Sequence, residues 1–127
     1  MAKALGIGGV FFKSPDPAKL QGWYAQHLGI DGQNMDSNSM AIFPVSSMPE
    51  NSYAIWSAFD STTTYFEPSG KEFMLNLVVD NLEEALRQVA AGGAQVVGDV
   101  QDSEYGKFGW FIDTDGNNVE LWQTPVS

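Results

Sequence analysis

The chain has 127 residues, a single-domain length, and 43% hydrophobic, 13% aromatic and 17% charged side chains, the balance of a folded globular protein. Sixteen acidic against six basic residues leave a net charge of -10 with Arg87 as the only arginine, which excludes nucleic acid and anionic membrane surfaces as main partners. The absence of cysteine excludes disulfides, thiol catalysis and zinc-thiolate sites, and the single His27 removes most histidine-based metal and triad chemistry. No apolar run approaches the roughly 18 residues of a membrane span, and the first residues lack a signal-peptide pattern, so a cytoplasmic location is expected.

Residues 7–13 read as a strand. Asp16-Pro17 then makes a strong helix start, because Asp accepts an orphan amide bond and Pro has no donor to lose. Leu20, Trp23, Tyr24 and Leu28 recur at helical spacing, and Gly29 is a natural stop. Short β-like runs follow at 41–45 and 53–59. A link from about 60 to 71 carries a Ser-Thr-Thr-Thr run and a Pro-Ser-Gly turn.

The pattern then returns. Residues 73–79 read as a strand, and Asp80 with Glu83 resembles a capping box. Leu82, Ala85, Leu86 and Val89 form the apolar stripe, and Gly93 answers Gly29. Runs at 95–98, 108–113 and 118–123 complete the half, with Thr-Asp-Gly-Asn as the turn between the last two. Each half therefore reads strand, helix, then two or three strands, and neither alone buries a sheet face. The expected fold is α+β: one domain of paired βαβββ modules, 1–67 and 68–127, in a curved mixed sheet. Helices cover its convex face, and the concave face is free for a ligand. Two modules leave sheet edges open, so a homodimer is expected.

Three segments, at 11–30, 73–85 and 110–122, resemble the vicinal oxygen chelate superfamily of glyoxalase I, bleomycin-resistance proteins and extradiol dioxygenases. They are similar to its opening strand and helix ending in Leu-Gly, the opening of its second module, and its closing Asp-x-Asp-Gly-Asn-x-x-Glu-Leu hairpin. Enzymes of that superfamily hold a divalent metal with up to four side chains. The resemblance places those positions at Gly9, near Ile55, at Met74 and at Glu120. Glycine and isoleucine offer no donor, and a thioether is a poor ligand for a hard divalent ion. Only Glu120 is retained, so no metal and no other cofactor is expected.

Alternation in 118–122 puts Val119 and Leu121 on one face and Asn118, Glu120 and Trp122 on the other. Glu120 is then either a solvated strand carboxylate or a catalytic base or counter-charge within the concavity. If it has no partner there, Glu120→Gln disturbs folding little and weakens a cationic ligand. Asn76 shares a strand face with Met74 and is either a structural hydrogen-bonding group or a ligand-orienting one. Phe11 would line the same wall, with Gly9 opening space beside it. His27 lies in the last turn of its helix, where a cation suits the dipole, and reads as structural. Trp56, Tyr65, Phe66, Tyr105 and Trp110 include loop aromatics whose exposure calls for a cavity lid or a subunit contact.

The leading expectation is a glyoxalase/bleomycin-resistance-like protein that binds a small organic molecule in an aromatic cavity without the usual metal. Phe11, Met74, Asn76, Tyr105, Trp110 and Trp122 would bind the ligand, and Glu120 would act on it. The surface charge and the aromatic faces favour a cation. The alternatives are a metal-dependent lyase, isomerase or dioxygenase of the same superfamily, and a non-catalytic regulatory or partner-binding domain.

Overall fold

Both helices start where their caps dictate. In the computed structural model, which describes residues 1–125, α1 spans Pro17–Leu28. The Asp16 carboxylate accepts the Lys19 amide at 3.2 Å, and Pro17 occupies the first turn. Gly29 ends α1 at φ 67°, the left-handed conformation that glycine adopts without a Cβ clash. The second helix, α2, spans Leu82–Ala91, and its cap is Asn81 rather than Asp80. The Asn81 amide oxygen takes the Glu84 N–H at 3.1 Å, while the Leu82 N–H reaches Gln123 Oε1 at 2.8 Å. The expected Asp80–Glu83 box is thus displaced by one residue, because Asn is as good a cap as Asp and leaves Leu82 facing the sheet.

Six strands form: β1 Gly32–Met35, β2 Asn38–Ala41, β3 Leu75–Val78, β4 Gln95–Ser103, β5 Gly106–Ile112 and β6 Asn118–Gln123. Strands β1 and β2 make an antiparallel hairpin of their own. The main sheet has the order β3-β6-β5-β4, with β3 parallel to β6 and the remaining pairs antiparallel. The architecture is α+β with a mixed sheet, as the sequence predicts.

Three details differ. Residues 7–13 and 53–59 are not strands, and the run at 41–45 yields only the last residue of β2 before a 3-10 turn at Val45–Ser47. A strand persists only beside a hydrogen-bonding neighbour. The hairpin that would provide one, Gly-Gln-Asn-Met and Asn-Ser-Met-Ala, is too polar to seat on a core. Strand β4, conversely, runs on past Gly98 to Ser103. Its pairing passes from Val97–Trp110 to Gln101–Phe108, which leaves a bulge at 98–100 with Gly98 at φ 69°.

Both helices cover the same face of the main sheet. Leu82, Ala85 and Val89 of α2 and Leu20 and Tyr24 of α1 enclose Phe111, Val119 and Leu121. The helices are tied to each other by Trp23 Nε1 donating to the Gly92 carbonyl at 2.9 Å and by Gln88 Nε2 donating to the His27 carbonyl at 2.8 Å. The His27 ring lies so close to Gly92 that a Cβ there would sit 2.7 Å from it. This histidine packs against the neighbouring helix.

The buried Asp113 carboxylate joins α1 to the closing hairpin. It accepts the Tyr24 hydroxyl at 2.7 Å, Asn117 Nδ2 at 2.9 Å, and the amides of Asp115 and Asn117, both at 2.9 Å. Burial first, and then the adjacent Asp113 charge, push the Tyr24 phenol above its ordinary value of 10.0. No helix among the described residues is long and apolar enough to cross a membrane.

The Tyr24 shift fixes the sign of a pH effect. The unfolded phenol ionises near its ordinary value while the folded one does not, so this contribution is complete below about pH 10 and is lost as pH rises beyond it. Urea unfolding between neutral and alkaline pH is expected to show stability falling above about pH 10. Tyr24→Phe flattens that fall and costs about 1–3 kcal/mol at neutral pH by leaving Asp113 one donor short. An unchanged neutral-pH midpoint would remove Asp113–Tyr24 from the interactions that hold α1.

Candidate functional site

The face of the sheet away from the helices carries the site. Alternation sends Asn118, Glu120 and Trp122 of β6, Phe108 and Trp110 of β5 and Asn76 of β3 to this side. Asn76 and Trp110 both stand directly opposite Glu120, one on each neighbouring strand. That register gathers the polar contacts of the site around one carboxylate.

Glu120 is only 8% exposed. Its Oε1 accepts Asn76 Nδ2 at 2.7 Å; its Oε2 accepts Trp110 Nε1 at 3.0 Å and the Tyr65 hydroxyl at 2.5 Å. All three donors are neutral. Burial, followed by the hydrogen bond to Glu120, pushes the Tyr65 phenol above its ordinary value, so it remains a donor through the physiological range. Here Tyr65, a loop aromatic in the sequence reading, supplies a donor that strand alternation could not identify.

Aromatic rings surround this carboxylate. Tyr65 meets Trp110 edge-on with centroids 6.2 Å apart, and Phe59 stacks on Tyr65 at 5.5 Å. Phe108 stacks on Trp122 at 5.7 Å, and Tyr53 meets Trp122 edge-on at 5.5 Å. Trp122 Nε1 donates to the Tyr105 carbonyl at 2.7 Å. Gly106 at φ 114° makes that turn, and any Cβ on it would collide with the Gln123 carbonyl. The segment bearing Tyr65 is held by Asn118 Nδ2, which donates to the carbonyls of Phe66 at 3.1 Å and Glu67 at 3.2 Å, and by Ser69 Oγ donating to Gly116 O at 2.7 Å.

The structure thus brings Glu120, Asn76, Trp110 and Trp122 onto one face. Tyr105 joins them through its backbone carbonyl, while its side chain is exposed. Met74 is half-buried immediately before β3, in phase with Asn76. Phe11 is 96% exposed on the extended N-terminal segment, and Ile55 is exposed in an irregular one. Gly9 has only the Phe11 ring near its Cβ position.

A divalent metal, which the superfamily resemblance implies, does not fit these residues. Among the described residues no three of His, Cys, Asp and Glu converge. The Glu120 oxygens already accept N–H and O–H donors, whose hydrogens would repel a cation placed between them.

The premise that Glu120 lacks a partner is also corrected, and with it the reason for expecting Glu120→Gln to be mild. Glutamine can keep its oxygen toward Tyr65 and Trp110 while its NH2 meets Asn76, whose own amide can turn over to accept. Glu120→Gln is expected to cost about 1 kcal/mol, whereas Glu120→Leu, which leaves the Trp110 indole N–H without an acceptor, costs about 2–4 kcal/mol. Urea midpoints and the Trp110 indole proton shift read this out. Equal costs for the two variants would mean that the three donors do not depend on Glu120.

A family model described as a glyoxalase-like domain matches residues 9–122. No curated protein matches the chain. Among solved structures, the chain is similar to a protein of Agrobacterium tumefaciens, with 15% identity, 89% of this chain and 92% of that one covered, and a TM-score of 0.58. TnmS3, described as an antibiotic binding protein from Streptomyces sp. CB03234, is 20% identical over 88% of this chain and 89% of its own, with a TM-score of 0.52. TioX from Micromonospora sp. ML1 is 15% identical over 87% and 91%, also at 0.52. At these identities the structural likeness concerns the fold. With the family model spanning nearly the whole sequence, the chain belongs to the glyoxalase-like domain family.

Proposed function

We propose that this protein binds a small organic molecule against the aromatic face around Glu120 and does so without a resident metal. The observation that carries the reading is the construction of that face. A buried carboxylate fixes Trp110, Tyr65 and Asn76 in place, and flat rings with few polar atoms surround it. The exposed Tyr65 ring, held by its hydrogen bond to Glu120 above the buried Trp110, offers contact area at small entropic cost, the pattern of a small-molecule site. The fold shared with an antibiotic binding protein supports the same reading. Within it, Glu120 orders the face and adds negative charge beneath the rings. The net charge of -10 favours cations over anions at the approach stage.

A metal-dependent lyase, isomerase or dioxygenase is the weaker reading, because Gly9, Ile55 and Met74 bring no ligand and Glu120 is already engaged. Homodimerisation belongs to the favoured one. Val10, Phe11, Ile42, Phe43, Ile55 and Trp56 are all exposed, and a second copy laid over these three segments would remove that apolar surface from water.

Two measurements test these statements. A thermal-shift screen of cationic, neutral and anionic aromatics is expected to give hits that survive chelator treatment, with cations ahead of anions. Metal-dependent hits, or about one tightly held divalent ion per chain, would favour the enzyme instead. Sedimentation at micromolar concentration is expected to show a dimer, and a monomer throughout would refute that part alone.

A further inference from the structure

The three donors around Glu120 all point inward, and that direction limits what they can offer a ligand. A carboxylate only accepts hydrogen bonds. Tyr65 therefore spends its hydroxyl hydrogen on Oε2, Trp110 its one indole N–H on the same oxygen, and Asn76 an amide hydrogen on Oε1. The phenol of Tyr65 is pushed up by burial and by that hydrogen bond, so its hydrogen stays on Glu120. Trp110 also bears on the Tyr65 oxygen, which takes up acceptor capacity there.

Asn76 differs from the other two. It is exposed, it stands on β3 directly opposite Glu120, and its Oδ1 receives no hydrogen bond among the described residues. Glu120 sets its orientation. Turning the amide over would bring Oδ1 against Glu120 Oε1, two acceptors at the 2.7 Å that the donor now spans. The amide nitrogen is thus held to the carboxylate, and the carbonyl arm is left for solvent or a ligand. Beside it stand the 44% exposed Tyr65 ring and Phe59, which stacks on that ring.

Resting on the small-molecule reading above, we propose that the ligand is a planar ring carrying an N–H or O–H donor, and that Asn76 Oδ1 is the acceptor that selects it. Glu120 acts through Asn76 as a positioning residue, fixing which end of the amide faces outward. A ring of the same shape with a lone pair at that point sets acceptor against acceptor, and it loses the contact that the donor gains. The ring faces supply most of the affinity and the amide supplies the choice. This preference is separate from the attraction of cations to the net charge, because it acts equally on neutral ligands.

The test uses the whole protein and two neutral probes of nearly equal shape: indole, which donates through its N–H, and benzoxazole, which only accepts. Indole is expected to bind the parent about three- to tenfold more tightly and to move the Asn76 side-chain amide signals. Glu120→Gln is the informative change. Its oxygen stays with Tyr65 and Trp110, its NH2 meets Asn76, and the Asn76 amide turns over to show its own NH2 to the ligand. The preference is then expected to vanish or reverse, while the lost charge weighs on both neutral probes alike. Asn76→Ala, at an exposed position of an edge strand, is expected to bind both probes equally, and it decides the matter if Glu120→Gln fails to fold. Equal binding of the two probes by the parent, an unchanged preference in either variant, or signals that move only at Trp122 and Tyr53 would overturn the assignment while leaving small-molecule binding intact. Absence of any response to indole, where the wider screen finds other binders, would also overturn it. If that screen finds no ligand at all, the small-molecule reading itself falls.

Discussion

The register of β6 sorts the molecule. Pairing with β3 on one side and β5 on the other leaves each of its side chains one of two destinations. Val119 and Leu121 enter the core beneath both helices, and Gln123 reaches the first amide of α2. Asn118, Glu120 and Trp122 go to the other face, where each fixes a different part of the site: the 66–67 carbonyls, the Tyr65–Trp110–Asn76 group and the Tyr105 turn. A slip of one residue would send a carboxylate into the core and two aliphatic side chains out of it. Fold and site therefore share one determinant and cannot be tuned separately along this strand.

Two buried carboxylates, one on each face, are treated alike. Among the described residues, Asp113 under the helices and Glu120 opposite accept only from neutral groups, and neither has a cationic partner. Neutral donors satisfy the oxygens of a buried carboxyl group without bringing an opposite charge to it. The net charge of -10 adds self-repulsion, which is a cost to folding. The same net charge opposes anions and attracts cations as they approach the molecule.

Much of the fold is legible in the sequence where local chemistry decides. Asp16-Pro17 and Gly29 bound α1, the Asp-Gly-Asn turn joins β5 to β6, and alternation in 118–123 assigns both faces of β6. The convergence of Asn76 and Trp110 on Glu120 is not legible, because it depends on the register between three strands rather than on any one of them. Tyr65 shows the same limit. Its aromatic character in a polar loop signals a role, but its hydroxyl finds Glu120 only because Asn118 and Ser69 pin the segment. Asn118 reads as an ordinary polar strand residue, and only its tertiary contacts reveal the unpaired Oδ1.

The repeat read in the sequence is met only in part, because the strands expected at 7–13 and 53–59 do not form while those of the second half do. The closing strands of the second half turn Phe111, Val119 and Leu121 to one side, so they form a sheet with an apolar face. The corresponding hairpin of the first half is Gln, Asn, Ser and Met with no such face. Helix α1 packs beside α2 and along the β1-β2 hairpin, and its Leu20, Trp23 and Tyr24 side chains reach the core around Phe111. Val10, Phe11, Ile42, Phe43, Ile55 and Trp56 are left exposed on segments that join no sheet among the described residues. Surface of that kind is retained against aggregation only if it is covered, and the strands that would cover it need a partner edge. The same three segments are where the sequence places strands, so in the proposed dimer pairing with another copy would both bury the apolar surface and satisfy the strand pattern that a single chain leaves unmet.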